Sequence, residues 1–442
     1  MDLLRVHDVA DVGDERCVVE PPSHIVDDAS ATNHHFGQRF VWHKGLHRSA
    51  EELEKLRHVG DPLMDEVLDA AAMKAQCAST TAGGGPAAAS TAAGGGDFVE
   101  ALAAEAECDT DGAAARLLRE AENPPPWVDF AEIARGAAVF QRHIALVPVI
   151  LYNFSLVGGF SAPKITSVLD ATGYLTGAPE AALRRLTDTG RFVFDIAEAG
   201  ALRPWQPGWK AALRVRAKHA RVRRLLRKRG WPEVPLNAAD VMVTQLAFSY
   251  NVIVGLEIIL GSALGAHEAA AYLALWRWAG ALLGLPDEAN ACADGLPAAK
   301  AWLESYIVHQ LHPTALSQRV AHHLLDAPAA VAHRGDSEQR RRVFIYNAQL
   351  TRLLIGDALG DALDLPFCVA SRRRALRSLR FLRVYGRLCR LPLLGSVLGL
   401  VHRTAANLVL RPPLWLARLV GATRRLGVST AADPARARGC PM

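Results

Sequence analysis

The chain has 442 residues, half of them hydrophobic, and a formal net charge of only +5. Clusters of β-branched and aromatic residues bounded by turn signals are sparse, so the composition argues against an all-β protein and predicts an α-rich one. Seven scattered cysteines without CxxC spacing argue against a zinc module or a disulfide framework. The small net charge argues against a generally cationic surface, so no nucleic-acid partner is expected.

Composition predicts four parts along the chain. They are an N-terminal appendage, a low-complexity insertion or linker, a core domain and a basic amphipathic extension, at residues 1–77, 78–126, 127–365 and 366–442. The insertion has two GGG runs between Ala78 and Gly96, and we expect it to be disordered. In the appendage, a capping box at Ser49 predicts a helix over 49–72. The N-terminus lacks the pattern of a secretory signal, which predicts an intracellular protein, cytoplasmic or peripherally membrane-associated.

Helical periodicity, broken at turns that contain Gly and Pro, predicts one core of successive helices. They are expected at Phe130–Tyr152, Ala162–Tyr174, Pro179–Ala199, Trp209–Arg229, Ala238–Leu264, His267–Leu283 and Ala298–His323. The longest apolar stretch, Leu246–Gly265, is interrupted by Asn251 and Glu257, which is typical of a buried helix rather than a membrane span.

A histidine stands between two arginines in the predicted helix 209–229. Arg216, His219 and Arg223 are three and four positions apart and therefore share one helix face. Positive neighbours disfavour a protonated imidazole, which leaves a neutral nitrogen to bind a metal, and the guanidiniums suit a bound carboxylate. Because this helix is basic on more than one face, a surface histidine or a patch for nucleic acid or membrane is the alternative interpretation.

Two other core helices carry polar residues that could line a pocket. Arg185 and Thr189 are four positions apart on one face, although a surface salt link between Arg185 and Asp188 is the simpler interpretation. Thr244 lies in an apolar helix, where its hydroxyl either bonds back to the preceding turn or faces a cavity.

The extension contains no Asp or Glu from Leu365 to Ala432. Arginines recur there beside apolar residues at near-helical spacing, at positions Arg372, Arg373, Arg374, Arg377, Arg380, Arg383, Arg387 and Arg390. This pattern is typical of a helix that lies on an anionic membrane surface, and equally of a solvated helix that packs on the core.

Five short motifs follow one another on successive helices between about Trp127 and His323. They are Gly136-x-x-x-Phe140, Arg185-x-x-x-Thr189, Arg216-x-x-His219-Ala220-x-x-Arg223, Trp231-Pro232 and Asp240-x-x-x-Thr244. In this order and at these separations, the series resembles the catalytic domain of the family that contains rubber oxygenases and the ER-bound oxygenases of mycophenolic acid biosynthesis.

The resemblance implies an all-α, globin-like core that encloses a b-type haem, with His219 as the proximal iron ligand. It implies that Arg185 and Thr189 are catalytic residues on the distal side of the haem. It assigns the remaining cofactor-binding positions to Arg216, Arg223 and Thr244.

The implied activity is the O2-dependent cleavage of a carbon–carbon double bond in an isoprenoid or other apolar substrate. Apolar residues of the Leu246–Leu264 helix would line the channel for this substrate. Asp188 stands where rubber-cleaving members have a lysine that can cap the iron, so a lysine-capped resting state is not expected. Leu246 replaces a family histidine, which argues against polyisoprene itself. The alternatives are a haem-binding sensor or storage protein without turnover, and a peripheral membrane protein without a cofactor.

Overall fold

The computed structural model describes residues 32–36, 38–43, 45–81, 97–173 and 176–410. Within these ranges the protein is mostly helical, which confirms the predicted all-α class. One short antiparallel hairpin is added, with β1 at Thr32–His35 and β2 at Gln38–Val41. Most of the glycine-rich insertion, residues 82–96, lies outside the described residues.

The N-terminal appendage contains two helices where the sequence predicted one. The first, α1 (Ala50–Arg57), begins at the expected capping box, in which Ser49 and Glu52 each accept a hydrogen bond from the other's backbone N–H. The second, α2 (Pro62–Thr81), begins at a proline. Proline fits the first helical position because a backbone N–H there would have no acceptor within the helix.

The region assigned to a linker, 78–126, also contains packed structure. It holds α3 (Phe98–Cys108) and α4 (Ala113–Glu122), and Leu102, Leu117 and Leu118 of these helices are buried in the main core. The linker assignment was therefore wrong for 98–122, because the glycine runs just before this segment dominated the composition and obscured its apolar helical spacing.

The core helices begin and end close to the predicted residues, except where three long predicted helices are broken. Their bounds are α5 (Phe130–Arg142), α6 (Val147–Ile150), a π-helical turn (Leu151–Leu156), α7 (Val157–Gly159), α8 (Pro163–Thr172), α9 (Pro179–Ile196), α10 (Pro207–Lys228), α11 (Ala238–Phe248), α12 (Tyr250–Leu260), α13 (Ala266–Leu282), a 3-10 turn (Asp287–Ala289), α14 (Gly295–Gln310) and α15 (Ala315–Ala332).

The three breaks differ in their local geometry. The helix axis turns by 83° between α5 and the segment that starts at Val147. Ser249, with φ −105° and ψ −83°, separates α11 from α12, and Pro313 lies in the loop between α14 and α15. Ala238–Leu260 is long and apolar enough to cross a bilayer, but 78% of its most apolar window is buried inside the protein.

The C-terminal helices are α16 (Ser337–Ile355), α17 (Asp357–Ala362), α18 (Val369–Leu388) and α19 (Pro392–Leu410). Residues 411–442 of the basic extension lie outside the described residues. The chain turns sharply between α18 and α19, whose axes differ by 113°.

Helices α5 and α13 approach each other unusually closely. A Cβ atom on Gly136 of α5 would lie 2.2 Å from the carbonyl oxygen of Ala271 on α13. Only glycine fits at this position, which gives a packing reason for the glycine of the Gly136-x-x-x-Phe140 motif.

Candidate active site

A cavity of about 370 Å³ lies inside the core, within the range of small-molecule sites, roughly 300–1,000 Å³. Its wall is mainly apolar and is built from the π-helical turn and helices α8 to α12, with contributions from the N-terminal hairpin and from α14. Representative lining residues are Phe154, Leu169, Phe192, Val243, Phe248 and Val254. Such a wall favours the binding of an apolar molecule.

His219 of α10 lines this cavity. Its Nδ1 atom is buried and has no hydrogen-bond partner among the described residues. Burial, assisted by the positive charges of Arg185 and Arg223, lowers the pKa of the imidazole from 6.5 to about 4. The ring is therefore neutral near pH 7 and has a lone pair to offer.

Arg185 and Thr189 of α9 line the same cavity as His219. The alternative salt link between Arg185 and Asp188 is not formed, because the Asp188 carboxylate pairs with Arg191 at 3.5 Å. Among the described residues Arg185 has no carboxylate partner, so its guanidinium is available to an anion or a polar atom inside the cavity.

Thr244 of α11 also lines the cavity, but its hydroxyl is already used. Thr244 Oγ1 donates to the backbone carbonyl of Asp240 at 2.7 Å, one helical turn earlier. Both interpretations of this threonine are therefore partly right: the residue faces the cavity, and its proton is held by the helix.

Arg216 does not line the cavity, although the sequence placed it beside His219. Its Nε and Nη2 atoms donate to the carboxylate of Asp61 at 2.8 and 3.0 Å, and its Nη1 atom donates to Glu120 at 2.9 Å. Arg216 and Asp61 are both buried.

Arg223, seven residues after Arg216 on α10, is also bound to a carboxylate. Its Nε and Nη2 atoms donate to the carboxylate of Asp65 at 3.0 and 2.8 Å, and its Nη1 atom donates to the carbonyl of Leu236 at 3.2 Å. The structure therefore gives both arginines protein carboxylates as partners, whereas the sequence assigned them to a cofactor. Asp61 and Asp65, four positions apart beside and within α2, were the signal that sequence analysis missed.

No role was predicted from the sequence for a polar group in the cavity wall, although its member Asp240 belongs to the Asp240-x-x-x-Thr244 motif. Asp240 is buried and accepts a hydrogen bond from Arg57 at 3.3 Å, and burial raises the pKa of its carboxyl to about 6. Tyr306 lines the cavity with a buried hydroxyl that has no partner among the described residues. Glu304, also in the wall, is hydrogen-bonded to His47 at 2.8 Å.

The comparisons with known proteins decide the family. The family model described as "ER-bound oxygenase mpaB/B'/Rubber oxygenase, catalytic domain" matches residues 141–391, which is more than half of the 442 residues. The chain belongs to this family. The match begins just after the Gly136-x-x-x-Phe140 motif, and at its other end it includes α18, beyond the range of about 127–323 over which the motifs resemble the family.

One curated protein and one solved structure are similar to this chain. A rubber oxygenase from Streptomyces sp. (strain K30) is 28% identical over 179 residues, which are 39% of this chain and 43% of that protein. The chain thus matches less than half the length of this relative. The structure of latex clearing protein in the closed state shares the fold, with a TM-score of 0.50 and 21% identity over 66% of this chain and 77% of that one.

The residues of this family member fit a haem with one protein ligand. Among the residues that the structure describes, no group of three or more His, Cys, Asp and Glu side chains could hold a metal ion. A porphyrin would hold its iron itself and could take one imidazole as a protein ligand. His219 offers one unpartnered buried nitrogen in an apolar wall, and Arg185 offers a cation for an anionic edge.

Proposed function

We propose that this protein is a haem b-dependent oxygenase that cleaves a carbon–carbon double bond of an apolar substrate with O2. The observation that carries the proposal is the neutral imidazole of His219, whose Nδ1 atom has no hydrogen-bond partner among the described residues, in the wall of an apolar cavity that Arg185 and Thr189 also line. Membership in the oxygenase family supports the reaction class.

When bound, the haem supplies the activation of O2, and the products of the cleaved double bond are two carbonyl compounds. His219 would hold the iron, because its low pKa keeps the nitrogen lone pair available at neutral pH. The buried nitrogen would otherwise remain unsatisfied, at a cost of about 1–3 kcal/mol.

Arg185 and Thr189 would act on the polar atoms inside the cavity. They share one face of α9, and each has a donor group in the wall. Arg185 would bind an anionic group or orient the oxidant, and the Thr189 hydroxyl would donate a hydrogen bond beside it. The surrounding apolar residues exclude water, which strengthens both interactions.

We further propose that the substrate is an isoprenoid or a similarly apolar chain. The support is the apolar character of the wall, which Phe192, Phe248 and Val254 illustrate. Asp188 and Leu246 depart from the rubber-cleaving pattern, so the proposed substrate is smaller than polyisoprene. A closed distal site capped by a lysine is not part of the proposal, because residue 188 is an aspartate.

The test is O2 uptake and carbonyl formation by the haem-loaded protein with a short isoprenoid such as squalene, dispersed in detergent. His219→Ala should abolish both signals, whereas His267→Ala, which changes an exposed histidine, should leave them unchanged. A haem-loaded parent that consumes no O2 with any isoprenoid would instead indicate a sensor or storage protein. Equal turnover by parent and His219→Ala would overturn the assignment of His219.

A further inference from the structure

One face of α18 is exposed and combines arginines with apolar side chains. At 3.6 residues per turn, eight exposed residues fall within an arc of about 140°. They are Arg373, Arg374, Arg377, Arg380, Phe381, Val384, Arg387 and Leu388. The opposite face is the one that packs on the protein, through the buried residues Ala375, Gly386 and Cys389.

The arginines on the two faces have different partners. Arg372 is paired with Asp357 at 2.9 Å, and Arg383 donates to the carbonyl of Ile259 at the end of α12. On the outer face, Arg387 donates to the carbonyl of Leu260 at 3.2 Å. Arg373, Arg374 and Arg380 on that face have no ion pair within the part of the chain that the structure describes. The extension between 365 and 432 contains no acidic residue that could neutralise them.

The apolar surface continues around the turn into α19. Leu393 is 87% exposed, and Val397, Leu400 and Val401 follow it at helical spacing, each more than half exposed. Phe381 on the outer face of α18 is 69% exposed as well. We call the outer face of α18, together with the exposed apolar residues Leu393, Val397, Leu400 and Val401 of α19, the elbow surface.

We propose that the elbow surface docks on an anionic lipid membrane. Arginines near lipid headgroups attract negative charge while the apolar side chains beside them enter the acyl boundary, which is the arrangement of interfacial helices. A second copy of the chain fits poorly, because a twofold contact would set arginines against arginines. A nucleic acid fits poorly, because its surface offers nothing to the exposed Leu393 and Val397.

The elbow surface is one helix away from the cavity. Helix α19 leaves the turn and packs against α9, where Arg191 donates a hydrogen bond to the carbonyl of Leu410. A Cβ on Gly190 of α9 would lie 3.5 Å from Leu410 Cδ2. Since α9 also carries Arg185 and Thr189, membrane docking would bring the cavity close to a reservoir of apolar molecules.

The charge contribution is tested by sedimentation of the full chain with vesicles. Binding is expected to vesicles of phosphatidylserine and phosphatidylcholine in equal parts, and not to phosphatidylcholine alone. In R373Q/R377Q/R380Q the affinity should fall on the order of a hundredfold, because each arginine near the surface contributes about 1 kcal/mol. The control K228Q/R229Q/R319Q removes the same charge from exposed positions elsewhere and should bind like the parent.

The apolar contribution is tested with F381S/V384S, which keeps every charge. Its binding should weaken at least severalfold and become more sensitive to salt, whereas V59S/L225S, which changes two exposed apolar residues elsewhere, should behave like the parent. Circular dichroism should show that all four variants remain folded.

Equal vesicle binding by the parent and the arginine variant would overturn the proposal. So would failure of the parent to bind anionic vesicles. A parent that ignores vesicles but binds duplex RNA, with a loss in R373Q/R377Q/R380Q, would reassign the elbow surface to nucleic acid. None of these outcomes depends on haem or turnover, so the proposal stands or falls separately from the oxygenase activity.

Discussion

Arg216 of α10 holds Asp61, the residue before α2, through two hydrogen bonds of 2.8 and 3.0 Å, with both side chains buried. Asp61 also accepts a hydrogen bond from the backbone N–H of Met64 and so fixes the first turn of α2. The pair joins the N-terminal appendage to the helix that carries His219. The appendage is therefore part of the structure that supports the site.

Arg216→Ala should destabilise the protein by about 3–5 kcal/mol, because it leaves the Asp61 carboxylate buried without its main partner. The free energy of unfolding from urea titration is the measurement. Arg216→Met combined with Asp61→Leu should recover much of the loss. If Arg216→Ala kept full stability and lost only haem affinity, the arginine would be a cofactor-binding residue as the sequence predicted.

Arg185→Gln should reduce turnover at least tenfold and leave stability within about 0.5 kcal/mol, because this arginine lines the cavity and has no ion pair among the described residues to lose. Arg184→Gln is the matched control, since Arg184 is the exposed neighbour on the same helix. Steady-state rates and thermal unfolding are compared for both variants. Equal rates in the two would remove Arg185 from the reaction.

Gly136→Ala should destabilise the protein by about 1–3 kcal/mol or more, because the added Cβ would meet the Ala271 carbonyl at 2.2 Å and force α5 and α13 apart. Gly159→Ala, where nothing lies within 4 Å of the added atom, should be neutral or slightly stabilising. Urea unfolding of the two variants gives the comparison. A neutral Gly136→Ala would mean that the two helices pack less closely than described.

The contribution of His143 to stability should fall as the pH drops from about 6.5 toward 4. His143 is buried with neither ring nitrogen hydrogen-bonded, and burial, with the nearby Arg390 and Arg142, lowers the pKa of its imidazole to about 4. The unfolded chain binds this proton near pH 6.5 and the folded chain does not, so acid favours unfolding.

The variant His143→Gln isolates the contribution of this one histidine. Between pH 7 and pH 5, its free energy of unfolding should fall by about 2 kcal/mol less than that of the parent. Since His219 has a lowered pKa as well, part of the slope should persist in the variant. Identical slopes in parent and variant would show that His143 is protonated in the folded protein.

Residues that share one helix face were predictable from the sequence, and those that depend on contacts between distant segments were not. Arg185 and Thr189 reach the cavity together because their spacing places them on one side of α9. The aspartate partners of Arg216 and Arg223, Asp61 and Asp65, lie 155 and 158 positions away, which no local pattern reveals.

The helix breaks show the same division between local and distant causes. The break at Ser249 lies inside an otherwise apolar stretch, and no Gly or Pro marks it in the sequence. Pro62 and Pro313 lie at the other breaks and could have marked them. The helical periodicity on both sides of each proline instead predicted one continuous helix. The polar group around Asp240 was missed because its members lie on helices far apart in the chain.

The haem content of the purified protein, expressed with ample iron and porphyrin precursor, tests the central claim most directly. The parent should contain stoichiometric haem with a Soret band, His219→Gly should lose most of it, and added imidazole should restore the band by occupying the vacated position. A colourless parent would contradict the proposed cofactor, and a His219→Gly variant with unchanged haem content and spectrum would contradict the proposed ligand.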